Sequence, residues 1–297
     1  MDIIKNVMVS LVGRPNVGKS TLTNALVGEK IAIVSNKPQT TRTRITGILN
    51  RGECQFVLLD TPGMHKANTL LGDYMSKVVR STVSSVDAAI MVAEPSDRIG
   101  KAEEALIATF KESGIPAVLA VNKIDTVKKE ALFPVISMYS EAYPFSAVVP
   151  VSAKTGDGLK ELLDEIEKFA EKGPQLFPAG MVSDQPEKML LSEIIREKLL
   201  GLLEHEVPHG TAVEITEFTE RENGVIDVGA TIFCEKQSHK GIIIGKNGAM
   251  LKKVGGLARL DMERFLNAKV YLELWVKVKE GWKNNASMIR NFGYDDN

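Results

Sequence analysis

The sequence predicts two α/β domains: a doubly wound, mostly parallel sheet over 1–171 and a smaller α/β module over 188–297, joined by a linker at 172–187. Three observations carry this reading. In the first half, short runs that are apolar on both faces alternate with longer amphipathic stretches. Near residue 171 the pattern breaks: two glycines and two prolines fall between Glu171 and Gly180, followed by Pro186. Beyond that point Val270, Leu272, Leu274, Val276 and Val278 alternate with polar and aromatic residues, the period of a sheet with one buried face.

Val7–Val12, Phe56–Leu59, Ala88–Ala93, Ala117–Val121 and Ala147–Val151 read as buried strands, with helices near 19–28, 69–84, 101–113, 128–142 and 158–170. Ligands of such sheets sit at the carboxyl ends of the strands. The second module reads as a helix from about 187 to 203, strands at 211–218 and 225–234, two helices and a final strand. With 297 residues, 44% hydrophobic and 25% charged, each half can bury a core. A net charge of -1 excludes a globally basic nucleic-acid binder and leaves room for a local basic face. Two distant cysteines, Cys54 and Cys234, exclude a disulfide framework and a cysteine zinc site, which suits a reducing cytosol. No signal-like segment and no long apolar run is seen, so a cytoplasmic protein is expected.

Gly13-Arg14-Pro15-Asn16-Val17-Gly18-Lys19-Ser20 fits G-x-x-x-x-G-K-[ST], after a strand and opening a helix. Glycines at 13 and 18 let the backbone curl and aim its N–H groups, with Asn16, Val17 and Thr21, at phosphate oxygens. The helix N-terminus adds favourable partial charge. Lys19 is assigned to the β- and γ-phosphates and the Ser20 hydroxyl to Mg²⁺. Asn122-Lys123-Ile124-Asp125 selects the base: guanine offers two donors on one edge, which the Asp125 carboxylate accepts, and adenine lacks that pair. Asn122 is assigned to tie this loop to the phosphate loop, and a backbone N–H of Ser152-Ala153-Lys154 to meet guanine O6. Asp60-Thr61-Pro62-Gly63 places a carboxylate near Mg²⁺ and the Gly63 N–H at the γ-phosphate. The polar segment 35–45 offers Thr40, Thr41 and Thr43 as a further Mg²⁺ ligand, with Thr41 favoured.

These five motifs, in this order, resemble the Ras-like GTPases of the translation-factor class. The resemblance assigns Lys19, Thr41 and Gly63 to catalysis and Ser20, Thr41 and Asp60 to Mg²⁺. Met64 departs from it, standing where Ras-type enzymes carry the glutamine that orients water; hydrolysis is expected to be slow, on the order of 10⁻⁴ s⁻¹ unaided. Within the hydrophobe-substituted group an asparagine at Asn16 marks potassium activation, so K⁺ joins the expected cofactors.

Gly245-Lys246-Asn247-Gly248 supplies the G-x-x-G of a KH domain, a loop that clamps about four single-stranded nucleotides. Lys240, Lys246, Lys252 and Lys253 gather around it, whereas 204–227 is strongly acidic. Tyr271 and Trp275, on the outward strand face, either stack on bases or cover a neighbouring helix. Met181, Met189, Met250 and Met262 are read as core filler.

Both halves together resemble the Era family, a GTPase domain followed by a type II KH domain. The resemblance rests on the phosphate loop, Gln39-Thr40-Thr41-Arg42, the two later nucleotide motifs, 192–198 and 272–279. It implies binding of GTP and GDP and of the 3′ end of small-subunit ribosomal RNA, action in 30S assembly as a monomer, and peripheral contact with the inner membrane face. A reading from another class is a membrane-peripheral signalling GTPase whose second domain docks a protein; a third is a DNA-binding KH module.

Overall fold

The computed structural model describes residues 3–64 and 68–294; the outer domain limits expected at 1 and 297 lie outside them. The chain divides into two compact units, one running to Asp184 without Asn68–Leu71, the other from Gln185 onward together with those four residues.

The first unit comprises β1 (Lys5–Val12), α1 (Lys19–Val27), β2 (Ile45–Arg51), β3 (Cys54–Asp60), α2 (Leu70–Val83), β4 (Ala88–Ala93), α3 (Lys101–Ser113), β5 (Ala117–Val121), α4 (Leu132–Ala142), β6 (Ala147–Pro150), α5 (Leu159–Glu167) and β7 (Glu171–Lys172). The sheet order is β2-β3-β1-β4-β5-β6, with β7 beside the start of β1. The strands from β3 to β6 run parallel; β2 and β7 are antiparallel. Alternate residues of each strand enter different cores. Ile90 and Val92 pack with Leu22, Leu162 and Ile166, whereas Ala89, Met91 and Ala93 pack with Leu106, Phe110 and Tyr139. Both faces are therefore buried, and the strand ends remain for the site.

Three details depart from the sequence expectation. The first is β2, whose Ile-Thr-Gly-Ile-Leu-Asn-Arg run lacks a strong strand signature. Its Gly47 lies so close to α1 that an added Cβ would sit 2.8 Å from Ile31 Cδ1 and 2.9 Å from Val27 Cγ2. The second is α4, expected from 128. It begins at Leu132 because the preceding residues form two short 3₁₀ turns, and Pro134 then stands in the first helical turn, where no N–H is needed. The third is the segment read as a linker, which lies along the first unit for most of its length. Its Leu176 and Phe177 N–H groups donate to Gln55 Oε1 at 2.8 and 2.9 Å, and Gln55 Nε2 donates to the Phe177 carbonyl at 2.9 Å. Ile48 N–H donates to the Val182 carbonyl, and Gly47 bridges to Ser183.

The second unit comprises α6 (Glu187–Leu202), β8 (Ala212–Glu220), β9 (Ile226–Cys234), α7 (Gln237–Ile244), α8 (Ala249–Leu266), β10 (Val270–Val278) and α9 (Ala286–Asn291). Its sheet has the order β10-β9-β8, with β10 parallel and β8 antiparallel to β9. Leu191, Ile195 and Leu199 of α6 and Val254, Ala258 and Met262 of α8 pack on Val228, Ala230, Ile232 and Val276. Met262 is core, but Met181 is exposed at 38%. Beyond β10 the sequence signals little, yet Trp282 is fully buried. Its indole N–H donates to the Gly210 carbonyl at 3.0 Å, and Phe292 meets its ring edge-on.

Gln55 is wholly buried, so Gln55→Ala leaves two N–H groups and a carbonyl without their partner. We expect a loss of about 2 kcal/mol in denaturant unfolding. Amide exchange should accelerate at Leu176 and Phe177 first, readable by hydrogen-exchange mass spectrometry.

Candidate functional site

The parallel register puts the loops after β1, β3, β4, β5 and β6 on one edge of the sheet. The loop after β1 curls tightly. A Cβ on Gly13 would stand 2.4 Å from the Val92 carbonyl oxygen, and one on Gly18 (φ 95°) would stand 2.4 Å from Asn122 Nδ2. Asn16 takes the left-handed conformation at φ 68°, which asparagine tolerates. Gly18 then caps α1, leaving the first amides of that helix facing the loop.

Lys19 is buried and folds back over this loop, donating to the carbonyls of Gly13 and Arg14 at 3.1 Å each. Burial lowers its pKa to about 8, against the pull of Asp60. Asp60 is also fully buried, and its pKa is lifted to about 6 by that burial, opposed by Lys19, Ser20 and the Thr61 amide. Ser20 Oγ donates to Asp60 Oδ2 at 2.6 Å and lies 2.8 Å from Thr41 Oγ1. Three oxygens thus converge from α1, β3 and the 28–44 segment. Asp60 Oδ1 is buried and accepts no hydrogen bond among the described residues. A hard oxygen-seeking cation fits this set: one carboxylate and two hydroxyls, with a carboxylate oxygen to spare. Of the three threonines considered, Thr41 is the one at Ser20; Thr40 Oγ1 donates to the Lys37 carbonyl instead.

A cleft runs between the phosphate loop and the 33–41 segment, walled by Asn16, Gly18, Lys19, Ser20, Thr21, Thr41, Gly63 and Lys123 among others. Gly63 approaches Pro15 so closely that a Cβ would stand 2.8 Å from Pro15 Cα. Met64 turns away: its side chain packs with Val12, Val79 and Met91, and its N–H donates to the Gly13 carbonyl at 3.1 Å.

The base-loop residues lie at the adjoining strand ends and do not line that cleft, apart from Lys123. Asn122 Nδ2 donates to the Val17 carbonyl at 2.8 Å, while Asn122 Oδ1 accepts from the Ala153 N–H at 3.0 Å. Asp125 is exposed and accepts from Ser152 Oγ at 2.8 Å; Lys154 is exposed nearby in sequence. Glu94, absent from the sequence reading, joins the site's edge by accepting from Lys123 Nζ at 2.6 Å and from Arg14.

In the second unit, Gly245 (φ 73°), Asn247 (φ 51°) and Gly248 (φ 76°) form a turn between α7 and α8. A Cβ on Gly245 would stand 2.7 Å from Met250 Cβ. Lys246, Asn247, Lys252 and Lys253 are exposed, and Lys240 is half-buried. A groove beside the turn is lined by Gly248, Leu251, Lys252, Gly255, Gly256, Arg259, Leu272 and Leu274. Of the RNA-binding residues expected from the sequence, Gly248 and Lys252 line it, and Lys240, Gly245, Lys246, Asn247 and Lys253 do not. The glycine pair inside α8 is a sequence signal passed over: helix-interior glycines carry a propensity cost, and Gly255 opens the approach to Leu274, whose Cδ1 is 3.3 Å from a Cβ placed there. Trp275 is 62% exposed, and Tyr271 lies under the Arg221 guanidinium at 5.2 Å.

Gly18 and Gly28 share a left-handed φ, but nothing lies within 4 Å of a Cβ on Gly28. Gly28→Ala should cost about 1 kcal/mol and Gly18→Ala about 3 kcal/mol in denaturant unfolding, since only the second adds a steric clash.

Comparison with known proteins agrees with the two-unit division. A family model described as a 50S ribosome-binding GTPase matches residues 8–123, and a KH-domain model matches 206–283. The GTPase Era of Ruminiclostridium cellulolyticum is 49% identical over 293 residues, covering 99% of this chain and 98% of that one. A single-residue variant of Aquifex aeolicus Era, solved with GDP and AlF4⁻, superposes with a TM-score of 0.95 at 35% identity, over 98% of this chain and 99% of that one. An Era structure solved with MgGDPNP and nucleotides 1506–1542 of 16S ribosomal RNA gives the same TM-score, identity and coverage. On its fold, its paired domains and this full-length similarity, the chain belongs to the Era family of GTPases.

Proposed function

We propose that this chain binds GTP and GDP at the cleft of the first unit, hydrolyses GTP with Mg²⁺, and binds the 3′ end of small-subunit ribosomal RNA through the second unit during 30S assembly. The observation that carries the nucleotide reading is the meeting of Ser20, Thr41 and Asp60 beside buried Lys19. Burial works against the charge of both Lys19 and Asp60; a phosphate and a divalent cation each bring the opposite charge to them. The relative solved with MgGDPNP and 16S ribosomal RNA supports the same pairing of ligands.

In this reading the backbone N–H groups of residues 13–20 other than Pro15, together with the Lys19 ammonium, hold the β- and γ-phosphates. Ser20, Thr41 and Asp60 would hold Mg²⁺, which would supply positive charge to the phosphate oxygens. Gly63, pressed against Pro15, brings the end of β3 to the γ-phosphate side of the cleft. Met64 lies in the core and supplies no polar group to water, which supports slow unaided turnover. Potassium at Asn16 is the finer part of the proposal; a faster single turnover in KCl than in NaCl supports it, and equal rates remove it. Asp125, steadied by Ser152, accepts the two guanine donors, and a backbone N–H of the 152–154 loop, which is tied to Asn122 through the Ala153 N–H, meets O6. In the second unit, Gly245 and Gly248 let an RNA backbone approach the turn, and Lys246, Lys252 and Arg259 supply positive charge.

Three variants and a salt titration test this. Asp125→Asn should weaken GDP binding about 10²-fold or more and shift preference towards xanthosine diphosphate, whose C2 carbonyl accepts rather than donates. Thr41→Ala should weaken the non-hydrolysable GTP analogue about tenfold with Mg²⁺ present while leaving GDP nearly unchanged. Gly245→Asp with Gly248→Asp should abolish binding of a labelled single-stranded RNA matching the 16S 3′ end without touching nucleotide affinity. In the unsubstituted chain, RNA binding should fall steeply with salt.

A further inference from the structure

Glu94 stands one residue beyond β4, and β4 lies between β1 and β5 in the sheet. Its carboxylate therefore falls between the phosphate loop and the base loop, and its two oxygens are divided between them. Oε1 accepts from Arg14 Nη2 of the phosphate loop. Oε2 accepts from Lys123 Nζ of the base loop at 2.6 Å. The Lys123 ammonium also donates to the Asn16 carbonyl at 2.7 Å, closing the circuit back to the phosphate loop. Behind it, Arg14 Nε lies 3.3 Å from Glu103 Oε1, and Glu103, almost wholly buried, accepts from the Gly100 N–H at the start of α3 with its other oxygen. The chain Gly100–Glu103–Arg14–Glu94–Lys123–Asn16 thus anchors both loops to α3 and β4.

The conformations it holds are uncommon ones. Lys123 and Asn16 both have positive φ, 65° and 68°, and Lys123 is a poor residue for that region. Burial works against the Glu94 charge, yet the hydrogen bond from Lys123 and the positive charges of Lys123 and Arg14 hold its carboxyl below the usual range. Glu94 itself does not line the cleft, whereas Lys123 and Asn16 do.

We propose that Glu94 is a positioning residue: it clamps the phosphate loop to the base loop through Arg14 and Lys123, and so sets nucleotide residence time and guanine discrimination without touching the nucleotide. This rests on the reading of these loops as a guanine-nucleotide site.

The test uses the full chain with fluorescent GDP and with inosine diphosphate, which lacks the exocyclic amine that Asp125 accepts. Glu94→Ala should release GDP about tenfold faster and reduce the GDP-over-inosine-diphosphate preference several-fold, with Glu94→Gln falling between. On a Lys123→Ala, Arg14→Ala background the Glu94→Ala change should add less than about twofold, since its partners are gone. The preference ratio and the non-additivity separate positioning from a merely structural role. Unchanged release and preference in Glu94→Ala would overturn the clamp, as would a full additional effect on that background. If Glu94→Ala does not fold, Glu94→Gln carries the same comparison. Failure of the unsubstituted chain to prefer GDP over inosine diphosphate would instead overturn the guanine reading beneath it.

Discussion

The loops after β1, β5 and β6 meet at one buried amide, that of Asn122. Its Nδ2 donates to the Val17 carbonyl in the loop after β1, and its Oδ1 accepts from Ala153 in the loop after β6. Three loops from distant parts of the chain therefore meet at one side chain. The geometry also explains Gly18, because the amide occupies the place a Cβ there would need. A left-handed residue, a helix start and a sequence-distant hydrogen bond are thus facets of one constraint. The bond to the Val17 carbonyl is buried and the one from Ala153 partly so, which makes the tie worth more than an exposed hydrogen bond.

Electrostatics at the site follow from the same enclosure. Lys19 and Asp60 are both fully buried, and each is pushed towards its neutral form by burial while being pulled back by the other. A pair held this way is a poor contribution to stability by itself. It is a good arrangement for meeting an anion and a cation together, and the Ser20 and Thr41 hydroxyls converge on the Asp60 side of it. Met64 shows a complementary economy. Its side chain fills the core under the loop and only its backbone faces Gly13, so the end of β3 is anchored without contributing a water-orienting group.

Legibility in the sequence tracked locality. The phosphate loop, Asp60, Asn122 and Asp125 stand at the ends of apolar runs, and both their types and their spacing carry chemistry. The turn at Gly245–Gly248 was visible for the same reason. What stayed hidden depends on partners far along the chain. Gln55 looks like an ordinary strand polar residue until Leu176 and Phe177 arrive more than a hundred positions later. Glu94 follows an apolar strand with nothing in its neighbours to indicate Arg14 or Lys123. Trp282 reads as a tail residue, and it is the Gly210 carbonyl, 72 positions earlier, and the Phe292 ring that show it to be core. The exposure of Trp275 and Met181 ran against the usual habit of large apolar side chains, since the outer face of β10 and the 173–184 segment leave them facing solvent.

A first unit built around a guanine nucleotide must tell GDP from ADP. Calorimetric titration of the full chain with GDP and with ADP, each with Mg²⁺, measures this. Tight GDP binding is expected, with ADP at least about 10²-fold weaker, because Asp125 would pair two guanine donors that adenine does not offer. Equal affinity for the two nucleotides, or no heat from either, would contradict it.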